Sequence, residues 1–187
     1  NHGESQQLEL VIEAARIARQ QNPQICIRFV GEGTQKPALE AYNQAAGSPV
    51  EMLEPSLGPA TIEHYKWADT CLVSLRSDWA SFAHTVPSKT YELLSYGKHI
   101  TGMVCGEAAN ILMEAGDHSV VADDAEALAQ VWLQLAEDPK STPTQRGGPA
   151  WVAQHASDTA QVMKLDSVLD KTLQRNDPTS LWKRSST

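Results

Sequence analysis

Apolar positions along this chain change period repeatedly, from helical spacing to short continuous runs and back. Leu8, Val11, Ile12, Ala15 and Ala18 recur at three and four residues, so Ser5 to Gln21 is predicted as an amphipathic helix. Asn22-Pro23 stops it, and the run from Gln24 to Val30 reads as a strand ending in Gly31-Glu32-Gly33. A helix over Lys36–Ala46 closes near Gly47, and Val50–Leu53 is a short strand. After the loop Glu54–Pro59, a helix is predicted over Thr61–Trp67 and a buried strand over Thr70–Leu75. The stretch Arg76–Pro87 is polar and irregular, longer than the usual connection between a strand and a helix.

The second half repeats the alternation. A helix over Lys89–Tyr96 ends at Gly97 and a strand runs over Lys98–Val104. Gly106–Ala115 is helical up to Gly116, Ser119–Val121 is a strand, and Asp123 or Asp124 caps a helix reaching Leu135. Pro139–Pro149 reads as a loop, Ala160–Leu173 as a last helix, and residues 176–187 as a mobile polar tail after a domain over 1–175. Strand and helix alternate about five times. That favours an α/β domain with a doubly wound, Rossmann-like parallel sheet and helices on both faces. Ligands of such sheets bind beyond the carboxyl ends of the strands, which points to the loops after Val30, Leu53, Leu75 and Val104.

Composition narrows the partners. With 187 residues and 41% hydrophobic content the chain can bury a real core. The 15 Lys and Arg against 23 Asp and Glu give a net charge of −8, which argues against DNA or RNA as a partner. Cys26, Cys71 and Cys105 are scattered in apolar runs and read as small buried hydrophobes in a reducing cytoplasm. No histidine spacing suits zinc, and no cation-chelating pair of aspartates stands out, so no metal and no cofactor are expected. No apolar run approaches the length of a membrane span. The opening Asn1-His2-Gly3, with no methionine, reads as a piece cut from a longer polypeptide.

Three turns could carry chemistry. Gly31-Glu32-Gly33-Thr34-Gln35-Lys36 follows a strand, but Lys36 stands where a dinucleotide fingerprint needs a third glycine. It reads equally as a tight turn or as backbone opened to a ligand. Pro87-Ser88-Lys89 stands at a helix start, where free N–H groups and the dipole favour an anion. A lysine in that first turn breaks the usual charge preference, as Lys89 would if it held a phosphate there, or if it simply points to solvent. Glu92, one turn later, could accept the hydroxyls of a ribose or merely complement the helix dipole. Gly106-Glu107 after Cys105 is a further strand-to-helix turn with bare backbone at its tip.

The succession of the glycine-pair turn, His64-Tyr65-Lys66-Trp67-Ala68-Asp69, and Pro87-Ser88-Lys89-Thr90-Tyr91-Glu92 before Gly97-Lys98 resembles family-4 glycosyltransferases. It is similar in particular to the bacterial branch that makes cell-surface polysaccharides, over Asn1 to Trp151. The resemblance implies one half of a GT-B fold, the half that binds a nucleotide sugar, with UDP the favoured nucleotide. It implies a retaining transfer, and an acceptor bound by an N-terminal domain absent from this chain. Glu92 then matches the second glutamate of the family's Glu-x7-Glu motif, a ribose clamp, while His84 stands where the first would fall, near the donor sugar. Asn1 and Gln6 stand where the family commonly has Arg and Lys for the pyrophosphate. On that reading Lys89 replaces the missing charge, with the N–H groups of Gly3 and Ser88 assisting and Lys36 a further helper. Met52 and Leu53 would meet the base, and Gly31, Gly33, Gly106 and Glu107 would line the donor site.

Two other readings stay open. A nucleotide-sugar epimerase of GT-B fold would rely on cleft carboxylates and histidines, such as His84, and would turn over a donor without acceptor. A non-catalytic Rossmann-like binding domain would account for the absent cations. The tail residues Leu181-Trp182-Lys183-Arg184 could touch an anionic membrane surface, placing the protein in the cytoplasm at the inner face of the cell membrane, although a solvated terminus is the default.

Overall fold

A computed structural model describes residues 1–116, 118–138 and 147–157, together with Val162 and Leu165. Helices and parallel strands alternate: α1 (Leu8–Gln21), β1 (Ile27–Val30), α2 (Lys36–Ala45), β2 (Val50–Leu53), α3 (Pro59–Trp67), β3 (Thr70–Ser74) and α4 (Ser88–Ser95). They continue with β4 (His99–Met103), α5 (Gly106–Ala115), β5 (Ser119–Val121), α6 (Ala125–Glu137) and α7 (Gly148–His155). All pairing is parallel, in a ladder β1-β2 and a ladder β3-β4-β5. The domain is α/β and Rossmann-like, as the alternation predicts, but among the described residues no ladder joins β1 to β3.

Side-chain packing holds the two ladders together. One core gathers Val11, Ile12 and Ala15 of α1 with Phe29, Leu39, Val50, Leu128, Trp132 and Met103. The other gathers Val73, Leu93, Leu94, Ile100, Val104, Ile111 and Leu112. β4 supplies both, since Met103 faces the first core while Ile100, with Val104 just past the strand, faces the second. This is the alternation of a strand covered on both faces. α1, α2 and α6 therefore cover one side and α4, α5 and α7 the other.

Local chemistry explains where the structure departs from the periodicity. The helix expected from Ser5 is broken at Gln7, which adopts φ 51, so a short 3-10 turn over Glu4–Gln6 precedes α1. β1 starts at Ile27 rather than Gln24, because the Asn22-Pro23 turn takes up the next two amides. Gln24 N–H donates to Asn22 Oδ1 at 3.1 Å and Ile25 N–H to Asn22 O at 3.1 Å. Cys26, read as buried, lies exposed just before the strand. The Arg76–Pro87 stretch contains a 3-10 turn over Ala80–His84. Asp124 caps α6, its Oδ1 accepting from Ala127 N–H at 2.7 Å, while Asp123 accepts from Ser77 N–H at 2.7 Å.

α7 is the element that the pattern missed, since Gly-Gly-Pro punctuates the sequence where a helix begins. Pro149 sits in the first turn, where its missing N–H costs nothing, and Gly148 packs against the main chain of Leu94. Trp151 then stacks on Tyr91 with centroids 6.3 Å apart. Of the helix expected over 160–173 only Val162 and Leu165 are described, both helical, and the end of the 1–175 domain and the 176–187 tail lie outside the described residues. Among the described residues no helix is long and apolar enough to cross a membrane, and no group of three or more His, Cys, Asp or Glu is placed to hold a metal.

Candidate functional site

The site builds from the start of α4. Pro87 is the N-cap, and no side chain caps the helix, so the first-turn amides have no side-chain acceptor. Ser88 and Lys89 open the helix and are exposed, and Glu92 stands one turn further in, also exposed. Thr90, between them, is fully buried, with its hydroxyl unpartnered among the described residues.

Tyr65 of α3 completes the group. Its hydroxyl donates to Glu92 Oε1 at 3.0 Å, and Lys89 Nζ donates to the Tyr65 hydroxyl oxygen at 3.4 Å. The ring packs against Tyr96 with centroids 5.6 Å apart. Burial, then the hydrogen bond to Glu92, push the Tyr65 phenol well up, so it stays a protonated donor. In the sequence Tyr65 is one residue of the His64–Asp69 run, with nothing to mark it for a role. An aromatic in a short helix carries no signal of its partner 27 residues on.

The N-terminal segment lies over the turn after β1. Burial, then the charge of Lys89, lower the pKa of the Asn1 amine. Gly31 has φ +143 with the Asn1 nitrogen and the His2 ring beside it, a conformation that L side chains rarely adopt. His2 N–H donates to Glu32 O at 2.9 Å, and His2 O accepts from Gln35 N–H at 3.0 Å. The His2 ring is itself buried beside Phe29, with Nδ1 unpartnered among the described residues. No spacing in the sequence marked His2. Gly3 N–H donates to Gln6 Oε1 at 3.1 Å rather than standing free.

The remaining candidates fall around this rim. Lys36 is buried and bridges Glu32 at 3.0 Å and Glu54 at 3.1 Å, so its charge is already matched. Met52 and Leu53 are half-buried at the end of β2, beside Glu54. Gly33 faces the His2 main chain, and Gly106, at φ +58, faces the main chain of Ala83. In both cases the chain itself makes the close approach. His84 is exposed at the end of the 3-10 turn that covers the start of α5, and Glu107 is exposed in the first turn of α5. Lys89, Glu92 and Tyr65 are thus one cluster. Gly31, Gly33 and Lys36 gather around His2, while His84, Gly106 and Glu107 gather at α5.

The arrangement offers a cation and a carboxylate on one helix face beside open N–H groups, the chemistry of an anion next to a diol. A family model for the group 1 glycosyl transferases matches residues 2–138. No curated protein matches the sequence. Among solved structures, sucrose-phosphate synthase from Thermosynechococcus elongatus is similar over 88% of this chain and 43% of its own, at 18% identity and a TM-score of 0.66. Anabaena Alr3699/HepE, solved in complex with UDP-glucose, is similar over 88% of this chain and 44% of its own, at 18% identity and a TM-score of 0.61. TarM matches over 91% of this chain and 33% of its own, at 10% identity and a TM-score of 0.68. The chain spans less than half the length of each of these structures, and at such identities the likeness shows the fold. With most of its length matched by the family model, the chain belongs to the group 1 glycosyl transferases.

Proposed function

We propose that this chain is the donor-binding half of a retaining, family-4 glycosyltransferase that moves a sugar from a UDP-linked donor to a polysaccharide or lipid-linked acceptor. The observation that carries the reading is the pairing of Lys89 and Glu92 on the exposed face at the start of α4. Glu92 Oε2 has no hydrogen-bond partner among the described residues, which leaves it for the ribose hydroxyls. Lys89 and the amide of Ser88 receive the diphosphate, and Met52 and Leu53 border the base. As the glycosidic bond breaks, negative charge grows on the leaving nucleotide, and a fixed cation and helix amides stabilise it without reorganising. His84 stands near the donor sugar, and a second domain holds the acceptor. The protein works in the cytoplasm, at the inner face of a bacterial membrane. HepE, of the same fold, was solved with UDP-glucose bound, which supports the choice of donor.

Calorimetry with UDP, GDP, ADP and their sugar conjugates tests this. Micromolar binding of one nucleotide is expected, weakened about tenfold or more by Glu92→Ala, which is at least roughly 1.4 kcal/mol. Unchanged affinity in the variant would remove the ribose clamp.

A non-catalytic binding domain is the second reading, and one observation favours it. Lys36 is held by Glu32 and Glu54, and Arg76 by Asp78 and Glu4, so two cations near the rim bring little free charge to a diphosphate. Binding without any turnover in the longer protein, with acceptor supplied, would support it.

A further inference from the structure

Lys89 and Glu92 are three residues apart on α4, a spacing at which opposite charges on a helix meet. Elsewhere in the molecule they do meet: Arg16 pairs with Glu13, and Lys66 with Glu63 at 2.8 Å, both at this spacing. Between Lys89 and Glu92 there is no ion pair within 4.0 Å among the described residues. Each instead reaches the Tyr65 hydroxyl, which gives its proton to the carboxylate and offers its oxygen to the ammonium. The ring is held in place by Tyr96 and by the edge of the second core.

We propose that Tyr65 is a spacer: its hydroxyl keeps Lys89 and Glu92 from neutralising one another and so presents cation and carboxylate as two separate contacts. The ligand such a pair recognises carries an anion and a vicinal diol at fixed separation, as a nucleoside diphosphate does. That ligand class rests on the donor-site reading above, whereas the spacing itself does not. Tyr65 is therefore a positioning residue, acting through its two neighbours. Phenylalanine would preserve the packing and lose the spacing.

The test is the acylation rate of Lys89 by a small amine-reactive ester, read by mass spectrometry with Lys66 as internal reference. In Tyr65→Phe the freed ammonium and carboxylate pair directly, and Lys89 labelling falls roughly two- to threefold, the effect of an exposed helical ion pair. In Tyr65→Phe/Glu92→Gln the partner carboxylate is gone and labelling returns to the wild-type rate, a rescue that a merely structural role would not give. Loss of fold would instead speed labelling at every lysine. Equal Lys89 rates in wild type and Tyr65→Phe, or a double variant that stays slow, would overturn the spacer. A separate arm adds saturating UDP to the wild type. Protection of Lys89 supports the donor site, and its absence counts against that reading alone, since the variants still decide the spacer.

Discussion

The main chain of His2 occupies the space into which a side chain at Gly33 would grow. The two segments are knitted there by the His2 amide to Glu32 and the Gln35 amide to His2, so the backbone has no slack to move aside. Gly33→Ala should therefore destabilise the fold by about 1–3 kcal/mol or more, as overpacking does. A thermal melt within a degree of wild type would show that the His2 segment yields.

Asn43 holds the entrance of β2 from α2. Its Nδ2 donates to Val50 O at 2.9 Å and its Oδ1 accepts from Val50 N–H at 3.1 Å, all buried. Asn43→Ala strands both main-chain groups and should cost about 1–3 kcal/mol for each group left unsatisfied. Urea denaturation reads the loss as a lower midpoint at unchanged slope.

Lys89 and Lys36 should differ sharply as contacts to a nucleotide. Lys36 is buried between two carboxylates, while Lys89 forms no ion pair among the described residues. Lys89→Ala is expected to weaken UDP binding roughly tenfold, the loss of a charge-assisted contact, and Lys36→Gln far less. Calorimetry that gave the reverse order would move the phosphate site towards the Gly31 turn.

Acid should loosen the amino ends of the strands through His118. Its Nδ1 accepts from Ile100 N–H at 3.2 Å, and burial lowers its pKa below 6.5. Protonation would remove that acceptor and charge a half-buried ring beside His99, whose centroid is 6.0 Å away. A depressed pKa gives a stability contribution complete above about pH 6.5 and lost progressively as pH falls through the folded value. Denaturation at pH 7.5 and 5.5 should show a fall in stability that His118→Gln lessens.

The alternation of strand and helix was legible because a strand within the sheet leaves a short apolar run, as at Cys71-Leu72-Val73, and helices keep their period, as in α1. The sequence singled out Lys89 as a candidate because a cation at a helix start breaks a local electrostatic rule. It could not reveal Tyr65, since the contact to Glu92 is set by how α3 packs beside α4. Nor could spacing tell that the close neighbours of Gly33 and Gly106 are His2 and Ala83. A glycine records that something comes near, and the tertiary fold decides what. α7 stayed hidden because its glycines and proline serve packing on Leu94 and a helix start, while the same residues elsewhere mark loops.

The packing of α1 against α6 joins segments separated by more than a hundred residues, and it completes the first core. During synthesis that core stays open until α6 has left the ribosome, so the apolar face of α1 waits without its α6 cover while the strands between them are made. In the second core β3, α4, β4 and α5 are nearer neighbours and can gather earlier, while α7, which follows α6 in the chain, covers α4 last. Folding of this domain should be ordered in time from the middle of the chain outwards, with its ends sealing last.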